Sequence, residues 1–165
     1  MASTKAVKRH LDADGYESDL ERELRAGSAA VKPEPLRGIL VGISGSKQSE
    51  RAARLAARIA AAARTKVLLA FVREPSGDPA GDGDRVRAEH LLDDLWRSLG
   101  LEESRVKTLV RNGQAADVLA ELAQSEDVDL VVVGSRGGNP VVRTLGGGVA
   151  ERFISKSDRP ILIVR

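Results

Sequence analysis

The sequence predicts an α/β fold, a five-stranded parallel doubly wound sheet with helices on both faces. Three observations carry this. Five short apolar runs alternate with four stretches of helical periodicity over residues 37–165. The fourth run, residues 128–133, is apolar on both of its faces, as a central strand covered from two sides must be. Each gap between runs holds one helix, which is what right-handed parallel crossovers require.

The elements follow in order. Ile39-Leu40-Val41-Gly42-Ile43 is a strand closed by Ser44-Gly45-Ser46, after which Ala52, Leu55, Ala56 and Ile59 recur at helical spacing to about Ala63. Residues 66–72 form a second strand. A loop containing Asp78, Asp82 and Asp84 leads to a helix with the stripe Ala88, Leu91, Leu92, Leu95 and Leu99, stopped by Gly100. Residues 106–110 alternate as a strand nearer a sheet edge does. Ala115, Val118, Leu119 and Leu122 mark the third helix, and after the fourth strand a helix over about 147–155 precedes the last strand, 160–164. Residues 1–36 are expected to form a polar N-terminal extension: charges of both signs end in Lys32-Pro33-Glu34-Pro35, and capping-box spacing at Ser18 with Leu20 and Leu24 suits a short helix over 18–26.

Composition removes several classes of function. The chain has 165 residues, no cysteine and two histidines, His10 and His90, far apart; disulfides, thiolate metal sites and cysteine nucleophiles are excluded, and a structural zinc site is not expected. The 26 basic and 24 acidic residues are interspersed and aromatics make up 2%, so neither the one-sided basic face nor the stacking platform of a nucleic-acid binder is present. With no apolar signal region and no apolar run of spanning length, the expected setting is the reducing cytoplasm, away from membranes.

In a sheet of this kind ligands sit at the carboxyl ends of the strands, where strand order reverses. The loops there are 44–46, 72–84, 111–113 and 134–148. The last is rich in glycine: Gly134 follows the fourth strand, Gly137 and Gly138 open the loop, and Gly146-Gly147-Gly148 leads into the last helix with Val149. Backbone N–H groups at such a helix start can converge on an anion, with Arg136 and Arg143 adding charge-assisted contacts. The same glycines also suit a plain strand-to-helix connection; the loop's place at the carboxyl edge favours the anion site. It lacks the G-x-x-x-x-G-K-[ST] of a P-loop and the short dinucleotide fingerprint.

The spacing Gly134-x2-Gly137-x9-Gly147 resembles the nucleotide-binding signature of the universal stress protein family. ILVGISGS at 39–46, NGQAADVLAELAQSEDVDLVVVGSRG at 112–137 and VAERFISKSDRPILIVR at 149–165 resemble other parts of that domain, so the likeness covers residues 37–165. It implies a Rossmann-like sheet of the adenine nucleotide alpha hydrolase-like kind in a small cytoplasmic stress-response regulator, homodimeric through its last strand, that binds ATP or a related adenine nucleotide, with or without magnesium, and does little or no catalysis. Carried over, Gly134, Arg136, Gly137, Gly147, Gly148 and Val149 hold the phosphates, Val72 meets the adenine with its backbone, and Ser44, Gly45 and Ser46 face the ribose. Two positions depart. Ser44 stands where ATP-binding members have aspartate, and Gly148 where they have Ser or Thr, so binding is weakened, lost in favour of a dimeric interaction module, or shifted to another nucleotide. Ser44-Gly45-Ser46 also resembles the version of this domain in osmosensing potassium-sensor kinases, which binds a cyclic dinucleotide; that motif's second half is matched only by VLLAF, ending at Phe71.

Nothing else in the chain demands chemistry. His90 has no nucleophile motif beside it. Asp78, Asp82 and Asp84 lack the closing bidentate acid of a calcium loop. Arg51, Arg54 and Arg58 form a basic stripe on the first helix, a solvated face or a docking surface for an acidic partner. The last strand is an apolar edge, to be paired with a second copy or covered by the tail through Leu20 and Leu24.

Overall fold

The computed structural model describes residues 34–75, 82–135 and 149–165. The helix expected over 18–26, the tail's contact with the last strand and Asp78 lie outside them. Within the unit Pro35–Arg165 the elements are β1 (Gly38–Ile43), α1 (Lys47–Ala63), β2 (Lys66–Arg73), α2 (Asp82–Arg97), a 3-10 turn (Glu103–Arg105), β3 (Val106–Asn112), α3 (Ala115–Ser125), β4 (Leu130–Gly134), α4 (Val149–Ile154) and β5 (Ile161–Val164). All strand pairs are parallel, and the order across the sheet is β3-β2-β1-β4-β5. The α/β class and the edge position of β3 follow the sequence pattern. So does the interior position of β4, which is flanked by β1 and β5, while β1 lies in the middle. Both strands are covered on both faces, so apolarity alone cannot rank them.

Alternation along the strands builds two cores. Ile39, Val41 and Ile43 of β1, with Val67, Leu69 and Val132, face α1 and α2, whose Ala52, Ala56, Ala60, Leu92 and Leu95 cover them. Leu40, Leu68, Val131 and Val133 face the other way, toward Val118, Leu119 and Leu122 of α3 and Phe153 of α4. Each fully buried Leu, Ile or Val contributes about 1.5–3 kcal/mol relative to exposure. The buried positions of α1 are Ser49 and five alanines, which lets this helix lie close to the sheet. Leu99 falls beyond the end of α2 yet still packs against the same core.

Both ends of α1 are capped. Ser46, in extended geometry, accepts the Ser49 amide at 3.2 Å on its hydroxyl, a bond whose loss costs about 1 kcal/mol. This cap starts the helix at Lys47, a turn ahead of the apolar stripe. At the other end Arg64 takes the left-handed conformation (φ 53°), and the Arg105 guanidinium donates to the Ala60 and Thr65 carbonyls at 2.6 and 2.8 Å, placing a cation at the negative end of the helix.

At the amino edge of the sheet Arg37 ties β1 to β4. Its backbone N–H donates to Asp129 at 2.7 Å, its Nε to the same carboxylate at 2.9 Å, and its Nη1 to both oxygens of Asp127 at 2.6 and 2.7 Å. The side-chain bond from Arg37, followed by its backbone bond, holds the Asp129 carboxyl below the usual carboxylate range. This edge is opposite the carboxyl ends of the strands and serves stability.

Candidate crevice at the carboxyl ends of β1 and β4

The chain runs from β1 outward through β2 and β3, then returns across the sheet to β4 and β5. Strand order therefore reverses between β1 and β4, the point at whose carboxyl ends open α/β sheets form their ligand crevice. Pairing of Ile43 with Phe71 and of Gly42 with Val133 puts Ser44, Val72 and Gly134 at neighbouring points along one edge of the sheet.

The turn after β1 is held by hydroxyls. Gly45 adopts φ +73°, a conformation open to glycine and strained for other residues. The Ser44 N–H donates to Ser49 Oγ at 3.3 Å, the hydroxyls of Ser44 and Ser46 lie 3.0 Å apart, and Ser49 Oγ donates to the Ser46 carbonyl at 2.8 Å. Ser49 is buried and was not among the expected site residues; its signal in the sequence is the cap spacing of Ser46 and Ser49.

Gly134 ends β4 beneath the first turn of α1. A Cβ there would lie 2.7 Å from the Gln48 carbonyl carbon and 2.8 Å from the Ser49 nitrogen. Close helix-to-sheet approach thus requires glycine at 134 whatever else the residue does. Next to it the Ser135 N–H donates to the Val164 carbonyl at 2.7 Å.

Val72 is half-buried on β2, opposite Arg111 in register. The backbone just beyond it is fixed: the Arg73 carbonyl accepts from the Gly113 N–H at 3.0 Å, and Glu74 Oε1 accepts from the Ala115 N–H at 3.1 Å, capping α3. Sequence reasoning missed Glu74, whose partner lies 41 residues away. Val149 opens α4, half-buried against the α3-side core.

The structure thus brings together Ser44, Gly45, Ser46, Val72 and Gly134 on one edge. Arg136, Gly137, Gly147 and Gly148 lie outside the described residues. Residues 44–46 and 134–135 contain hydroxyls and backbone donors and no carboxylate, a chemistry that accepts an anionic group without charge repulsion. Among the described residues no cluster of His, Cys, Asp or Glu is arranged to hold a metal ion, and no helix is long and apolar enough to cross a membrane.

Known proteins share this architecture. Universal stress protein G of Salmonella typhimurium is 38% identical over 79 residues, 47% of this chain and 54% of that protein; the match therefore spans about half the length of that relative. A universal stress protein of Thermus aquaticus is 27% identical over 135 residues, 77% of this chain and 97% of its own length. Among solved structures, a universal stress protein in complex with cAMP superposes with a TM-score of 0.62 at 29% identity, covering 80% of this chain and 98% of that one. The universal stress protein of Archaeoglobus fulgidus in complex with dAMP gives a TM-score of 0.60 at 25% identity, over 80% of this chain and all (100%) of the other. The sequence profile of the universal stress protein family matches residues 35–165, and the chain belongs to that family.

Proposed function

We propose that this protein is a stress-response regulator that binds an adenine nucleotide at the crevice between β1 and β4, without catalysis as its function. One observation carries the reading: Ser44 and Val72 stand level, with Gly134 one residue behind, at the point of strand reversal, where residues 44–46 and 134–135 carry no carboxylate. The cAMP and dAMP complexes of two relatives support the choice of ligand. In this reading the Val72 backbone meets the base and the Ser44 hydroxyl meets the sugar. Gly134, Arg136, Gly137, Gly147, Gly148 and Val149 surround the phosphates.

A second reading has its own support. The Ser44 and Ser46 hydroxyls already engage each other, and Gly134 is explained by helix packing; both features fit an interaction module that has lost nucleotide binding. Titration calorimetry with ATP, ADP, AMP, cAMP and a cyclic dinucleotide separates the two. The first reading expects saturable heat with at least one of them, weakened about fivefold by Ser44→Ala, the value of one neutral hydrogen bond near 1 kcal/mol. No heat with any of the five selects the module.

We also propose that two copies pair through β5. That strand bonds to β4 on one side and is the last in the sheet, and Ile163 is 45% exposed on it. An apolar edge of this kind is stabilised by pairing about a two-fold axis. Light scattering should give a dimer at micromolar concentration and a folded monomer for Ile163→Asp; a monomeric parent protein would rule out the pairing.

A further inference from the structure

The basic stripe on α1 is not absorbed by the crevice. Arg54 and Arg58 are exposed, and neither takes part in an ion pair among the described residues. Both line an open groove between α1 and α2, made of two adjoining parts of about 480 and about 270 Å³ that share Arg54 and Ser98. The groove follows α1 from Glu50 to Ala61, about 17 Å at the rise of an α-helix.

Its two parts differ in charge. In the larger part Arg54, Arg87 and His90 stand with Glu50 and Asp94 over Leu91 and Leu95. In the smaller part the charges are Arg54 and Arg58 alone, above a floor of Ala57, Ala61, Leu99 and Leu101. Small side chains on the α1 wall leave room for the ridge of another helix, and the leucines offer it apolar surface. A groove with an apolar floor and a cationic rim is complementary to an amphipathic helix with acidic flanks. The carboxylates of Glu50 and Asp94 at one end oppose a polyphosphate, and they suit a peptide that carries a basic residue there.

We propose that the groove between α1 and α2 docks an acidic, amphipathic helical segment of a partner protein, about three turns long. The apolar anchors of the segment lie over Ala61, Leu91, Leu99 and Leu101, and its acidic flank pairs with Arg54 and Arg58. The groove meets the residues of the nucleotide reading at Gly45, which lines the far end of its larger part; the docking contacts use none of them, so the proposal does not rest on that reading.

The test uses the full chain and a fluorescein-labelled peptide of about twelve residues, with leucines at helical spacing and glutamate and alanine elsewhere, followed by anisotropy at low salt. Saturable binding is expected. The double variant Arg54→Glu/Arg58→Glu should weaken it at least about tenfold, while a peptide with lysine in place of glutamate should prefer the variant over the parent. Both positions are exposed, so the variant should melt with the parent protein, a control read by circular dichroism. Four outcomes overturn the proposal: no binding to the parent chain, equal binding to the variant, or equally tight binding of polyglutamate or of an oligonucleotide of the same charge, which would reduce the effect to polyanion attraction. The fourth is a fall from dimer to monomer in the variant, which would mean that the groove seats a second copy.

Discussion

Gly134→Ala should lower the melting temperature of the protein by about 10 °C. The added methyl would lie 2.7, 2.8 and 2.9 Å from the Gln48 carbonyl carbon, the Ser49 nitrogen and the Gln48 Cβ. Two of those atoms are backbone in the first turn of α1, which cannot swing aside as a side-chain tip does. Either α1 lifts from the sheet, loosening its five buried alanines, or the Ser46 cap breaks. Overpacking of this kind costs typically 1–3 kcal/mol, and each kcal/mol is worth about 3–5 °C in a domain of this size. Gly83→Ala serves as the control: its Cβ would meet nothing within 4 Å, and in the first turn of α2 alanine is the better helix former by up to about 1 kcal/mol, so the melting temperature should hold or rise. The two roles of Gly134 also separate here. A Gly134→Ala protein that melts like the parent and fails only in nucleotide binding would mean that the packing argument is wrong and the glycine serves the ligand alone.

Much of this architecture can be read from the chain because its signals are local. The run Ile39-Leu40-Val41 is apolar on successive positions since its alternate side chains enter different cores, and the repeats at Ala52, Ala56 and Ala60 mark the buried face of a helix. What depends on partners distant in sequence does not show. Arg105 reads as an ordinary surface arginine before a strand, yet it closes α1 through the Ala60 carbonyl 45 residues earlier. Glu74 reads as loop and caps α3. The order of strands across the sheet is likewise a property of the crossovers, so which interior strand takes the middle had no signal in composition.

The crevice was legible to a similar depth. Topology alone brings the end of β1 and the end of β4 to the point of reversal, and the sequence has punctuation at both. Less visible was the division of labour within those residues: Ser46 is first a helix cap, Gly45 supplies the left-handed turn, and Ser49, hidden on the first turn, bonds to the N–H of Ser44. A serine-rich stretch looks the same from the sequence whether its hydroxyls serve a ligand or the backbone, because the two uses differ only in geometry.

The other large effect is expected at Phe153, where alanine should cost about 3–5 kcal/mol. Phe153 is 0% exposed and belongs to the core that Leu119, Leu122, Val131 and Val133 form between α3 and the sheet. Its helix, α4, has six residues, far below the length at which a helix persists in water. Docking of the phenyl ring is therefore what keeps α4 helical, helped at its end by the ion pair of Lys156 with Asp117. The consequence reaches the crevice. Residues 136–148 connect β4 to α4, and the connection is tied at one end by Gly134 beneath α1 and at the other by α4 on the core. With Phe153→Ala the second tie is lost, so under the proposed nucleotide reading affinity should fall by at least about tenfold at temperatures where far-ultraviolet circular dichroism still reports a folded sheet. Ile154→Ala, on the same helix but 60% exposed, should change stability by less than about 0.5 kcal/mol and leave affinity unaltered. Equal melting temperatures for the two variants would overturn the assignment of Phe153 as the anchor. A destabilised Phe153→Ala protein that binds nucleotide as the parent does would detach the crevice from α4 and place the ligand on β1, β2 and Gly134 alone.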